Sequence, residues 1–219
     1  MFKRRSMSFN STNTMEELNR LCMKVTQSLG DRPGGTVGIL SCNEGDGCST
    51  VSYNLGLTLA RKSDGRVLLV DANLRKPCMH RIFKTGMAPG LSDLITGGVG
   101  VSEVIRDTDV GNLKVLTAGS HLNNPGLAFE SEKMVRLLDE VRKDFEFAIF
   151  DFAPLIPYSE MLHVCSKTDM VLLVVQAGKT RWEVAQEGMR KLSAVGIEVF
   201  GVVLNKKRYY IPSFLYKRL

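Results

Sequence analysis

A chain of 219 residues that is 44% hydrophobic and 24% charged is long enough to bury one core without cross-links, which excludes a disordered chain or a stapled miniprotein. Its formal charge of +6 comes from the ends. Eight of the 29 basic side chains lie before Glu16 or after Glu198, and the 21 left between them face 23 acidic ones, so no nucleic-acid partner is expected.

Five cysteines, an odd number with no CxxC pair, point to free thiols in a reducing compartment rather than a disulfide framework or a zinc site. No apolar run reaches the roughly 18 residues of a membrane span, and the basic start of the chain is not followed by the apolar stretch of a signal peptide. A cytoplasmic protein is expected.

In chain order, Met15, Leu18, Leu21, Cys22, Val25 and Leu29 recur at helical spacing and predict an amphipathic helix over 15–29. Its apolar stripe is expected to pack on the domain or on a neighbouring subunit. Asp31 to Gly35 links it to a first strand, Gly35–Ser41, which is followed by a glycine-rich turn and a helix over 49–61. Residues 66–71 form a strand that is apolar on both faces, as buried parallel strands are. Residues 85–100, with five glycines and Pro89, are expected to be mostly loop with one short helix at most. Strands over 113–117, 145–151, 170–176 and 199–204 alternate with helices over 131–142 and 181–195. This order predicts an α/β fold, a doubly wound and mostly parallel sheet flanked by helices. The chain divides into a segment 1–30, an α/β domain 31–205 and a basic, tyrosine-containing tail 206–219. His163 and Cys165 form an H-x-C pair without other ligands nearby and are expected to be ordinary core or surface residues.

The turn after the first strand reads Ser41-Cys-Asn-Glu-Gly-Asp-Gly-Cys-Ser-Thr50. Strand, glycine turn and Ser-Thr at a helix start is the setting in which backbone N–H groups and the helix dipole gather around phosphates. The strict phosphate-loop pattern G-x-x-x-x-G-K-S/T fails twice, with Cys42 at the first glycine and Cys48 at the lysine. Read alone, the turn is equally a packing device between helix and strand. Two strand ends add weight to the phosphate reading: Asp71 and Asp151 each close an apolar strand, where open α/β sheets place their ligands. A phosphate turn with two such carboxylates is the minimum set for a nucleotide and its magnesium. At a helix N-terminus the Cys48 thiol is expected to have a lowered pKa. A thiol switch with Cys42 is weighed against plain neutral replacement, and the latter is preferred.

These segments resemble the bacterial tyrosine kinases of capsular and exopolysaccharide systems, a branch of the P-loop ATPases with deviant Walker motifs. Glu44 to Leu55 is similar to that family's P-G-E-G-K-S-T loop with the lysine changed. Val70 to Pro77 is similar to V-D-x-D-L-R-x-P with Asn73 at the second aspartate, and Ile149 to Pro154 to I-I-D-x-P-P. Leu91 to Gly98, Leu116 to Gly119 with Asn124-Pro125, and Gly201 to Asn205 are further landmarks. The assembly motif E-x-x-R-x-x-R falls on Glu17, Arg20 and Met23 and has lost its last arginine.

The resemblance implies ATP and Mg²⁺ as cofactors, with Gly45, Asp46, Gly47, Cys48, Ser49, Thr50 and Asn205 in the nucleotide site. It further implies Ser49 and Asp151 as magnesium ligands, and Asp71 and Asp151 as catalytic carboxylates with Asp71 near the transferred phosphate. Tyr209, Tyr210 and Tyr216 stand for the tyrosine cluster that such kinases phosphorylate. The expected partner is an inner-membrane polysaccharide co-polymerase or chain-length protein, with self-association and peripheral attachment to the inner membrane. The tail, with Ile211 to Tyr216 among basic residues, is expected to dock on a partner or membrane surface or to cover the sheet edge. Because the departures fall in separate motifs, a catalytically impaired regulator with weak or absent ATP binding is expected. The alternatives are an active tyrosine autokinase and a partition-type ATPase switch, against which Arg75 and Pro77 count.

Overall fold

The computed structural model describes residues 12–30 and 34–207. The linker 31–33, residues 1–11 and residues 208–219, with Tyr209, Tyr210 and Tyr216, lie outside the described residues. Seven strands run in chain order: β1 (Gly35–Ser41), β2 (Val67–Ala72), β3 (Ile105–Asp107), β4 (Leu113–Leu116), β5 (Phe147–Phe152), β6 (Met170–Gln176) and β7 (Gly201–Asn205). They form one sheet in the order β3-β4-β2-β5-β1-β6-β7. Every neighbouring pair is parallel except β3 with β4. The predicted doubly wound α/β architecture is therefore the observed one. β1 lies between β5 and β6, so chain connections leave the centre of the sheet in both directions at its carboxyl end, the place where such sheets bind ligands.

The period of two along each strand sorts the core into two layers. Val37, Ile39, Val67, Leu69, Phe147, Ile149 and Leu172 face α1 (Thr12–Leu29) and α2 (Cys48–Lys62). Leu40, Leu68, Val70, Ala148, Phe150 and Leu173 face the helices of the other side: α4 (Leu91–Thr96), α6 (Pro125–Phe129), α7 (Glu132–Asp144) and α9 (Trp182–Ala194). Asp71 continues the parity of Val67 and Leu69, and Asp151 that of Phe147 and Ile149. Both carboxylates thus lie on the α2 side, between the sheet and the loop that starts α2.

The glycine-rich segment is more ordered than its composition suggests. Gly90 precedes α4 and donates its N–H to Asp93 Oδ2 at 2.8 Å, and Gly97 ends the helix in the left-handed conformation. The short α3 (Met79–Ile82), α5 (Val101–Val104) and α8 (Leu162–Cys165) and the antiparallel β3 were not foreseen. Elements of three or four residues carry too few periods to be read from hydrophobicity. His163 and Cys165 part company, one exposed and the other buried. On α1, Cys22, Val25 and Leu29 are buried against α2, whereas Glu17 and Arg20 pair at the surface and Met23 is exposed.

The amino ends of the central strands are tied together by one residue. Asp169 accepts from the Thr36 N–H at 2.9 Å and from its hydroxyl, and Arg142 at the end of α7 reaches the same carboxylate, Thr36 Oγ1 and Lys167 O. These hydrogen bonds and the Arg142 charge outweigh burial and hold Asp169 below its usual pKa. Its contribution is therefore present above about pH 4 and is lost as pH falls through the depressed folded value. Asp169→Ala should lose about 2 kcal/mol of unfolding free energy in urea at pH 7. A loss under about 0.5 kcal/mol would place the tie elsewhere.

Candidate functional site

The loop between β1 and α2 is shaped from outside by hydrogen bonds that need no ligand. Asp46, almost wholly buried, turns its carboxylate inward. Oδ2 accepts from Asn43 N at 3.0 Å, and Oδ1 accepts from Thr180 Oγ1 at 2.8 Å, beyond the end of β6. Its carbonyl accepts from Asn205 Nδ2 at 2.8 Å, at the end of β7. Gly45 and Gly47 take φ of 83° and 98°, which favours glycine at both. At Gly47 a Cβ would also run into Asn205 Nδ2. On the other flank, Leu155 N and Ile156 N donate to Ser41 O and Cys42 O, so the chain after β5 is pinned to the loop's first residues.

α2 begins directly after Gly47 and no side chain caps it. The first-turn amides of Cys48, Ser49 and Thr50 consequently have no acceptor within the helix, which is the arrangement that receives anions. They border a cavity of about 370 Å³ lined by Gly45, Gly47, Cys48, Ser49, Thr50, Asn73, Cys78 and Lys206 among others.

The two strand-end aspartates meet behind the cavity's lining, next to Cys78 and Ser49. Asp71 and Asp151 are register partners on adjacent parallel strands, and both are fully buried. Asp71 Oδ2 accepts from Cys78 N and Met79 N, each at 2.8 Å, while Oδ1 has no partner. Asp151 Oδ1 accepts from Ser52 Oγ at 3.0 Å, and Oδ2 has none. Burial first, and then the charge of Asp151, push Asp71 up to about 7 against the opposing pull of its amide donors. Burial pushes Asp151 up to about 6, opposed by the nearby polar side chains of Ser49, Cys48 and Ser52. An unpaired, desolvated carboxylate oxygen beside a serine hydroxyl at a helix start suits a hard divalent cation. Among the described residues no cluster of three or more His, Cys, Asp or Glu side chains could hold a metal by itself, so such an ion would need a ligand's oxygens as well.

Cys48 corrects one expectation. Its thiol does not face the cavity as an activated nucleophile. It points into the sheet and donates to Ile39 O at 3.2 Å and, more weakly, to Phe152 O at 3.7 Å. Burial, followed by the neighbouring Asp151 charge, raises its pKa well above the ordinary thiol value. Loss of solvation and a nearby anion thus outweigh the helix dipole on which the expected lowering rested. Cys42 is also buried, raised to about 11, with its sulfur against Gly188 rather than Cys48.

The structure brings Gly45, Gly47, Cys48, Ser49 and Thr50 to one cavity, with Asp71 and Asp151 fully buried behind its Cys78 and Ser49 wall. Asp46 and Asn205 serve differently from the residues beside them: their side chains brace the loop, and Asn205 Oδ1 also accepts from Lys206 N at 2.8 Å. Asn73 Oδ1 accepts from Lys76 N at 3.1 Å and so shapes its own turn. Several neighbours escaped the sequence reading. Lys76 pairs with Glu44 of the loop, while Arg75 pairs with Glu160 at 2.7 Å and stacks over Tyr158. Ser52, one helical turn beyond Cys48, is the only one of these that spacing on a predicted helix would have exposed.

Because the folded chain holds the Asp71 and Asp151 protons more tightly than the unfolded chain, the stability they contribute is greatest below about pH 4 and declines as pH rises to about 7. Asp71→Asn should flatten this decline and make the protein about 2 kcal/mol more stable at pH 8. Urea unfolding at pH 5 and pH 8 measures it; an unchanged pH slope would mean that Asp71 ionises normally.

With this geometry in place, the comparisons with known proteins can be read. A family model described as an AAA domain matches residues 36–206. Tyrosine-protein kinase CpsD of Streptococcus pneumoniae serotype 4 is 30% identical over 192 residues, 87% of this chain and 83% of its own. Tyrosine-protein kinase ptk of Acinetobacter johnsonii is 31% identical over 159 residues, 73% of this chain, but the match spans only 22% of that longer protein. The crystal structure of the chimerical protein CapA2B2 superimposes with a TM-score of 0.84 at 26% identity, covering 91% of this chain and 87% of that one. The chain belongs to the bacterial tyrosine-kinase family, built on the P-loop fold.

Proposed function

We propose that this protein binds Mg·ATP weakly through its loop amides and is impaired as a kinase, acting as a regulator within capsule or exopolysaccharide biosynthesis. The observation that carries this reading is Cys48. The residue at the lysine position is neutral, short and turned away from the cavity, with its thiol spent on Ile39 O and Phe152 O. A cation aimed at the transferring phosphate acts only as charge develops, and losing one such preorganised contact costs about 3–4 kcal/mol, or on the order of 10²–10³ in rate.

The residues present fit the nucleotide and its ion. Gly45 to Thr50 would cradle the phosphates through backbone N–H groups. Ser49 and the free Oδ2 of Asp151 would hold magnesium, which supplies charge neutralisation across the phosphates when bound. Asp71, near pH 7 in its titration and with Oδ1 unpaired, would stand beside the transferred group. These roles agree with the names of the relatives as tyrosine kinases. The pathway, an inner-membrane chain-length partner and attachment to the membrane through it belong to the proposal alone. Among the described residues no helix is long and apolar enough to cross a membrane.

One observation favours the competing reading of a live autokinase acting on Tyr209, Tyr210 or Tyr216. A carboxylate titrating near 7 is well tuned to take a hydroxyl proton at neutral pH. The two readings separate with labelled ATP and Mg²⁺ on the purified chain beside Cys48→Lys, with thermal melts to confirm that both are folded. The proposal expects tyrosine labelling at least ~10²-fold slower in the unaltered chain than in the variant. Rapid labelling of the unaltered chain would overturn it.

A further inference from the structure

We propose that Lys206, at the end of β7, is the phosphate-binding cation of this site and supplies from outside the loop the charge that Cys48 does not. The proposal rests on the reading of the cavity as a nucleotide site and adds the residue that makes binding depend on phosphate charge.

Lys206 lines the same cavity as Gly45, Gly47, Ser49 and Thr50. Its ammonium crosses to the loop and donates to Gly45 O at 2.6 Å and to Gln176 Oε1 at 3.2 Å. Both acceptors are neutral. Among the described ion pairs none includes Lys206, so its charge is hydrogen-bonded but not neutralised. An entering phosphate would exchange two dipolar acceptors for an anion, the stronger class of hydrogen bond.

Two other cations, Arg75 and Lys76, line the same cavity, but each is already paired with a carboxylate. Lys76 pairs with Glu44, and Arg75 pairs with Glu160 and stacks on Tyr158. Lys179 approaches Gly45 from the solvent side but does not line the cavity.

The backbone holds Lys206 in an unusual pose for this purpose. Its φ is +55°, a left-handed conformation rare for a side chain of this kind. The preceding Asn205 fixes it by accepting the Lys206 N–H while donating to Asp46 O, so one asparagine orients both the loop and the lysine above it. A second, independent mark of a ligand is the fully buried Oδ2 of Asp151, which has no partner and lies behind the Ser49 wall of the cavity rather than in its lining. A cation bound there needs oxygens from a phosphate, which is the group that Lys206 is placed to meet.

Calorimetric titration of the full chain with Mg·ADP and Mg·ATP tests this, using Lys206→Ala, Lys206→Arg and Lys179→Ala. Expected are measurable binding by the unaltered chain and on the order of tenfold weaker binding by Lys206→Ala. Lys206→Arg should keep at least half of the affinity, and Lys179→Ala should match the unaltered chain. The Lys206→Ala deficit should shrink as salt rises, because the contribution is one of charge near the surface. Cys48→Lys added to Lys206→Ala should restore binding; melting curves of each variant exclude unfolding as the cause. If Lys206→Ala binds like the unaltered chain, the lysine has no such role although the nucleotide reading stands. If the unaltered chain binds neither nucleotide, both fall together.

Discussion

The loop between β1 and α2 holds its shape because Asp46 and Asn205 clamp it from behind, and everything proposed for the site depends on that clamp. A phosphate loop that relied on its lysine or on bound phosphate for its form would have no reason to persist once the lysine is gone. Here the carboxylate of Asp46 satisfies Asn43 and Thr180, and the Asn205 amide satisfies the Asp46 carbonyl. The order of the loop comes from side chains behind it and from the backbone bonds of Leu155 and Ile156, with no ligand needed. Its inner face, the uncapped start of α2, stays free for an anion.

Below the loop, the parity of β2 and β5 places two carboxylates side by side in a desolvated space. Burial raises both, the charge of Asp151 raises Asp71 further, and each carboxylate has one oxygen without a donor. A divalent ion would relieve this directly. The helix start above them adds no cation to the balance. Cys48 occupies the helix start without adding positive charge, and its own thiol, pressed against Asp151, stays protonated. On the proposed reading, the site would keep the parts that hold a nucleotide and lack the part that best stabilises transfer. Lys206 gives a charge that acts on binding from the rim, where a surface cation contributes less than one beneath the phosphates.

Much of this was legible in the sequence because it follows from periodicity. The strands 35–41 and 170–176 were read at their observed limits, and the positions of Asp71 and Asp151 at strand ends followed from apolar runs that stop at a carboxylate. The direction of the Cys48 side chain was not legible. It depends on the β1 and β5 carbonyls of Ile39 and Phe152, brought together by a pairing more than a hundred residues apart in sequence. Asn205 was found as a ligand candidate, but its bracing role needs Asp46, and nothing local links positions 46 and 205. Lys206 was grouped with the basic tail because charge counting sees a run and not the one member that turns back over the loop. The short helices and β3 were missed for want of length.

The most direct test of the account is a crystal structure of the unaltered chain with Mg·ADP. The account predicts the diphosphate against the backbone amides of Gly47 to Thr50 and the ion between Ser49 and Asp151 Oδ2. It also predicts that the Cys48 sulfur still faces Ile39 O and Phe152 O. Crystals grown at saturating nucleotide that show the loop without phosphate, or with the sulfur swung towards it, would contradict the claim that this loop is an anion cradle held open without its lysine.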